Sequence, residues 1–218
     1  MNLAALLERW ASKVQAETVL ERIVGRATTP ACAALAAEGK TIVTVVDPDA
    51  SGERVKAVYG LKTDVRVAGN DDVVLPKSDL VLIHGGKPRD WQATLAALGK
   101  LATKVLIVVA ENPSAWPLQA RAFIDLVTGG NGAKAGARAN GSTAPAPWEG
   151  WGRTSELAPV LWEIGRVREH EFLDVPPLAA RSPSLVRFAP RLAAEHAFVV
   201  DVTPRSPQAR RRLQRLGT

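Results

Sequence analysis

TVLERIVGRATTPACAALAAEGKTIVTVVD, Thr18 to Asp47, is the stretch whose reading decides the fold. Thr18 to Ile23 is a short apolar run of strand length, and Gly25 marks a turn. Residues 30 to 38 are rich in alanine and read as a helix, Gly39-Lys40 turn the chain again, and a second apolar run ends at an acid, Asp47. Two apolar strands joined by one helix of this length pair in parallel with a right-handed crossover, inside a sheet covered on both faces. In such sheets ligands bind outside the carboxyl ends of the strands. Here that edge lies near Glu21 to Ala27 and at Asp47.

Outward from this unit the pattern repeats. Short apolar or alternating runs at residues 65–68, 79–84, 104–110, 167–173 and 197–202 bring the strand count to seven. The run KVLIVVA, Lys104 to Ala110, is unbroken and predicts a central strand buried on both faces. Helical periodicity is clearest at the start, where Leu3, Leu6, Leu7, Trp10 and Val14 fall at spacings of three and four. That helix is expected over the sheet edge or the mouth of the ligand site, with Trp10 as a packing residue. Further helices are predicted after Asp47, over 90–101, 114–127 and 155–164. The fold class is therefore α/β, a three-layer arrangement with a seven-stranded, mostly parallel sheet covered by helices on both faces, in a single domain over 1–218.

The strand at 79–84 ends in His84, followed by Gly85 and Gly86, at the same carboxyl edge. Histidine there can act as a base or orient a substrate, since its ordinary pKa lies near neutrality. The sequence shows no carboxylate or nucleophile paired with it, so a structural role competes with a catalytic one.

With VLE, the single Gly25, TTP, a helix ending LAAEG and the run VTVVDPD, the opening stretch resembles S-adenosylmethionine-dependent methyltransferases of the Rossmann-like class. In that family the first strand ends in Glu/Asp-x-Gly-x-Gly-x-Gly and the second in an acid that binds the cofactor ribose. The resemblance puts Glu21 at the motif acid, Gly25 at the middle glycine and Asp47 at the ribose acid, with S-adenosylmethionine as the implied cofactor. Asp71, in the turn Gly69-Asn70-Asp71-Asp72 before Leu75-Pro76, takes the place of the carboxylate near the adenine amino group, and Asp72 is a second candidate. It also implies an antiparallel last strand.

Ile23 and Ala27 stand where the outer two glycines belong. Glycine in such a turn permits positive φ and close approach of a ligand to the main chain. A β-branched isoleucine suits positive φ poorly, and its bulk is expected toward the amino-acid end of the cofactor. Two functions stay open. A methyltransferase acting on an unknown acceptor needs an open pocket beside Ile23. A catalytically inactive pseudo-methyltransferase, serving as a binding or scaffold protein, predicts that Ile23 and Arg22 fill it.

Composition narrows the remaining classes. The chain of 218 residues is 46% hydrophobic and 23% charged, enough for one α/β domain with a large core. One cysteine, Cys32, excludes an internal disulfide framework and metal-ligand spacing, and it is expected to pack against the sheet. No run reaches the length of a membrane span, so a cytoplasmic setting without membrane partners is expected. The sequence lacks a Gly-x-x-x-x-Gly-Lys-Ser/Thr loop, a Gly-x-Ser-x-Gly elbow and a His-Glu-x-x-His pair. A nicotinamide-binding domain would share Asp47 but needs the glycines more strictly. Net charge is +6, and Arg205, Arg210, Arg211, Arg212 and Arg215 fall in the tail over 203–218. That tail can meet an acidic or nucleic-acid partner, or simply form a solvated helix end. Residues 129–153, rich in Gly, Ala and Pro, read as a flexible loop ending in Trp148 and Trp151.

Overall fold

In the computed structural model the described residues are 2–25, 30–47, 64–67, 74–112, 154–173, 175, 193 and 195–203. They form α1 (Leu3–Val14), β1 (Thr18–Val24), α2 (Ala33–Ala37), β2 (Thr41–Val46), β3 (Asp64–Val67), β4 (Ser78–Gly85), α3 (Trp91–Leu101), β5 (Ala102–Glu111), α4 (Thr154–Ile164), β6 (Arg166–Leu173) and β7 (Glu195–Asp201). The expected elements at 48–60 and 113–153, most of the 174–194 linker, the turn holding Asp71 and Asp72, and the arginine tail from 204 onward lie outside the described residues.

The strands join one seven-stranded sheet in the order β3-β2-β1-β4-β5-β7-β6. β1 to β5 run parallel, whereas β7 is antiparallel to both β5 and β6. The expected α/β class and antiparallel last strand are both present. The chain leaves β1 toward β2 and β3, then returns across β1 to β4, so the order reverses beside β1. That reversal opens a crevice at the carboxyl ends of β1 and β4, the place where ligands meet such sheets.

Alternation along the strands sorts the core into two layers. On one face Val19, Ile23, Ile42, Val46, Leu80, Leu82 and Ile107 pack under α1 and α2 with Leu6, Leu7, Trp10, Cys32 and Leu35. On the other, Leu20, Val24, Val43, Val81, Ile83, Leu106 and Phe198 pack under α3 and α4 with Leu95, Leu98, Leu157 and Leu161. Cys32 is fully buried, as its place in an apolar helix start implies. Most strands match their sequence ranges closely. α2 is shorter than its alanine content indicates, beginning only at Ala33, with Cys32 at the cap position and no side-chain capping bond there.

Of the two places expected for α1, the sheet edge and the site's mouth, the helix reaches the first. Its apolar stripe lies on the sheet face rather than over the site's mouth, and its polar side reaches the far edge strand. Asn2 caps it by accepting the Ala5 N–H at 2.9 Å. The Trp10 indole N–H donates to Glu169 on β6 at 3.0 Å, with Arg9 and Lys13 paired to the same carboxylate. The helix thus braces β6 against the sheet. Among the described residues no helix is long and apolar enough to cross a membrane.

Candidate functional site

Three acids and bases named from the sequence come to the carboxyl edge of β1, β2 and β4. Asp47 follows the last residue of β2, and its Oδ2 accepts the Gly25 N–H at 2.7 Å. Gly25 closes β1 at φ +94°, a conformation costly for any residue with a Cβ. No described atom lies within 4 Å of where a Cβ on Gly25 would sit. The turn glycine and the acid that ends β2 are therefore in direct contact, and the space beside Gly25 is clear among the described residues.

Arg22 occupies the other oxygen. Its guanidinium pairs with Asp47 Oδ1 and also donates to the carbonyls of Ile23 at 2.8 Å and Val45 at 3.2 Å. The Arg22 side chain is 12% exposed and that of Asp47 26%. Fork geometry suits arginine to this work, since one planar group satisfies two carbonyls and a carboxylate. Of the two residues expected to fill the crevice in an inactive protein, Arg22 stands at it.

Ile23 behaves differently from expectation. It is a regular strand residue paired with His84, and Gln15 is the sole non-glycine residue with positive φ among the described residues. Its side chain joins the layer under α1 and α2. The first glycine position of the motif needs no special backbone here, because β1 continues through it to Val24. An isoleucine is accommodated there without backbone strain.

Glu21 is wholly buried, and among the described residues Ala31, Thr44 and His84 meet its carboxyl group. Oε1 accepts the Ala31 N–H at 2.7 Å and lies 2.8 Å from His84 Nε2, while Oε2 accepts the Thr44 hydroxyl at 3.2 Å. It links β2, β4 and the turn before α2 on one side of the sheet. The contact joins the Glu21 carboxyl to one ring nitrogen of His84, and the tautomer sets which of the two donates. His84 is 4% exposed. The carboxylate partner that the sequence did not reveal for His84 is Glu21 itself. The signal was present in strand parity: Glu21 pairs with Thr44, and His84 lies two residues beyond Leu82, the Glu21 partner on β4. Asp71 lies outside the described residues. No group of three or more metal-binding side chains occurs among the described residues.

Solved structures place this architecture. The N-terminal domain of EvdMO1, crystallised in the presence of SAH and D-fucose, aligns with 94% of this chain and 84% of its own at a TM-score of 0.51 and 16% identity. A TehB-like SAM-dependent methyltransferase from Corynebacterium glutamicum aligns over 93% of this chain and 87% of its own, at 0.53 and 12% identity. The 1,6-didemethyltoxoflavin-N1-methyltransferase of Burkholderia thailandensis, with bound 1,6-didemethyltoxoflavin and S-adenosylhomocysteine, aligns over 93% of this chain and 77% of its own, at 0.53 and 12% identity. The fold is that of S-adenosylmethionine-dependent methyltransferases. No protein-family model matches the chain, and no curated protein is significantly similar to it. Within the methyltransferase fold the crevice at Gly25 and Asp47 lies at the reversal of strand order. Glu21, at the family's motif acid, is turned inward to the Thr44–His84 side.

Proposed function

We propose that this chain binds S-adenosylmethionine in the crevice at Gly25 and Asp47 and transfers its methyl group to an acceptor standing over the ends of β4 and β5. The observation that carries the reading is the Asp47–Gly25 contact, a carboxylate at the end of β2 held at 2.7 Å against a glycine of positive φ. Each carboxylate oxygen offers more than one acceptor direction, so the bonds from Gly25 and Arg22 leave capacity for ribose hydroxyls. The similar methyltransferases with SAH or S-adenosylhomocysteine bound support the choice of ligand. Bound there, the cofactor would supply an activated methyl carbon for in-line attack by an acceptor lone pair, the carbon–sulfur electrons returning to sulfur.

The protein's own part is positioning, which can account for much of such a rate enhancement. Asp47 and Gly25 would fix the nucleoside end, and Asp71 is proposed at the adenine. Glu21 shapes the turn from below through Ala31. It also orients His84 through Nε2, which leaves Nδ1 as the ring nitrogen that would take the proton an acceptor hydroxyl or amine releases.

One observation favours the inactive alternative: Arg22 already neutralises Asp47. Calorimetry with S-adenosylmethionine and S-adenosylhomocysteine separates the two. Micromolar binding that Asp47→Ala abolishes supports the enzyme reading. No binding up to millimolar ligand in folded protein ends it, and binding gained only in Arg22→Ala identifies the ion pair as a block.

A further inference from the structure

The strand pair at the far edge of the sheet carries a buried imidazole to which the contacts at Gly25 and Asp47 give no role. His196, the second residue of β7, is 2% exposed, and its Nε2 has no hydrogen-bond partner among the described residues. Its Nδ1 lies 3.0 Å from His170 Nε2 on β6. A buried polar atom left unpaired costs stability, so it is retained against a penalty unless something else engages it.

The surroundings are aromatic. His170 stacks on Phe198 with ring centroids 4.3 Å apart and planes 3° from parallel. His196 meets Phe198 edge-on at 4.9 Å, and Phe172 lies 5.0 Å from His170. Strand parity puts all four on the α3/α4 side of the sheet. His196 and Phe198 form a buried floor, whereas His170 is exposed and Phe172 half-buried on the edge strand β6. Entry is therefore from the open side of β6. The His170 ring lies flat on Phe198 and meets His196 at Nδ1, so the floor accepts a planar heteroaromatic ring while Nε2 stays unengaged by it.

The register connects this cluster to the cofactor crevice. Val24 pairs with Gly85, Ala110 with His196, and His196 with Phe172. Continuing the β4–β5 register two residues beyond Ile83–Val108 sets Gly85 beside Ala110. One row at the carboxyl edge thus runs Val24, Gly85, Ala110, His196, Phe172. Between Val24 and His196 it contains only a glycine and an alanine, and the three strand spacings from β1 to β7 span roughly 14 Å, so small side chains alone separate His196 from the crevice.

We propose that His196, with Phe198 and Phe172, forms a binding site for a planar aromatic ligand bearing a hydroxyl or ring nitrogen, and that this is the acceptor end of the methyl-transfer site. The acceptor role rests on the function proposed above; the binding site does not. The neutral imidazole offers His196 Nε2 to an uncharged polar group, which matches an aromatic hydroxyl better than a carboxylate or phosphate. Aromatic walls add stacking and exclude water from that bond.

The test uses 15N-labelled full-length protein without cofactor, titrated with 2-naphthol and, as the ether lacking a donor, 2-methoxynaphthalene. The expected result is saturable 2-naphthol binding that moves the His196 Nε2 resonance. His196→Phe, which keeps a ring and deletes the nitrogen, is expected to weaken binding about tenfold, the effect of one well-made hydrogen bond. An unmoved His196 Nε2 resonance at millimolar 2-naphthol overturns the proposal, as does unchanged affinity in a folded His196→Phe protein. Because no cofactor is present, either outcome is independent of whether S-adenosylmethionine binds at Asp47.

Discussion

Replacing Glu21 separates a cofactor ligand from an internal strut. Glu21→Ala removes the acceptor for Thr44 and His84, both buried, and for the half-buried Ala31 N–H. Each stranded buried donor costs about 1–3 kcal/mol. Because the Thr44 hydroxyl can rotate, the sum is about 4–5 kcal/mol, a large part of the 5–15 kcal/mol typical of a whole domain. For a chain of this size that lowers Tm by about 10–20 °C. Glu21→Gln keeps one oxygen for Ala31 and His84 and turns an amide toward Thr44, so only the charge assistance of the bonds is lost. That costs about 1–2 kcal/mol, or about 3–6 °C in Tm. Thermal unfolding followed by circular dichroism reads both variants, and calorimetry with S-adenosylhomocysteine reads the ligand. If Glu21→Ala melts with the parent protein, the strut reasoning is wrong. If Glu21→Gln keeps its Tm but loses the ligand, Glu21 touches the cofactor directly.

Arg22→Ala should cost about 2 kcal/mol through the lost charge-assisted bonds to Asp47 and two carbonyls, and should tighten S-adenosylhomocysteine binding if the guanidinium competes with ribose; weaker binding would show that the ion pair pre-positions the acid. Gly165→Ala sets a Cβ 2.4 Å from the Asp201 carbonyl oxygen where α4 turns into β6, and the backbone shift this forces should cost about 1–3 kcal/mol by chemical denaturation; an unchanged midpoint would show that this junction yields freely. Burial, reinforced by the neighbouring His170, pushes His196 from 6.5 down to about 4. Because the folded pKa is the lower, its stabilisation is complete above pH 6.5 and is lost on acidification toward 4. His196→Phe should flatten that part of the stability profile; an identical profile would mean that His196 is not the group titrating. Burial raises Asp79 and Asp201, but it is outweighed by the Glu17 N–H, Lys104 and Thr103 at Asp79, and by Thr203 and Arg168 at Asp201, so both fall below 3.8. Their contribution is therefore lost only at lower pH, below that ordinary value.

What the sequence made legible follows from what strand periodicity encodes. The runs at Thr18, Thr41, Asp79 and Lys104 are apolar on both faces, which forces a covered parallel sheet, and their ends deliver Gly25, Asp47 and His84 to one edge without reference to any contact. Periodicity does not say which way a polar residue inside such a strand turns or whom it meets across the sheet. Glu21 and Arg22 are chain neighbours, and the alternation of a strand sends them to opposite faces. One enters the layer under α1 and α2 and becomes the partner of His84; the other reaches Asp47. A motif alignment assigns the acid to the ligand because it compares positions along the chain, whereas the pairing of Glu21 with Thr44, and of Ile23 with His84, is fixed only by register between strands. The same holds for His170 and His196, separated in sequence by a linker that obscures their relation, yet within hydrogen-bonding distance through the β6–β7 pair. Both the altered turn and the aromatic cluster follow from this register. Ile23 is tolerated because β1 runs on to Val24, and that extra residue is what sets Val24, Gly85, Ala110, His196 and Phe172 in one row at the edge where the ligand is proposed to lie.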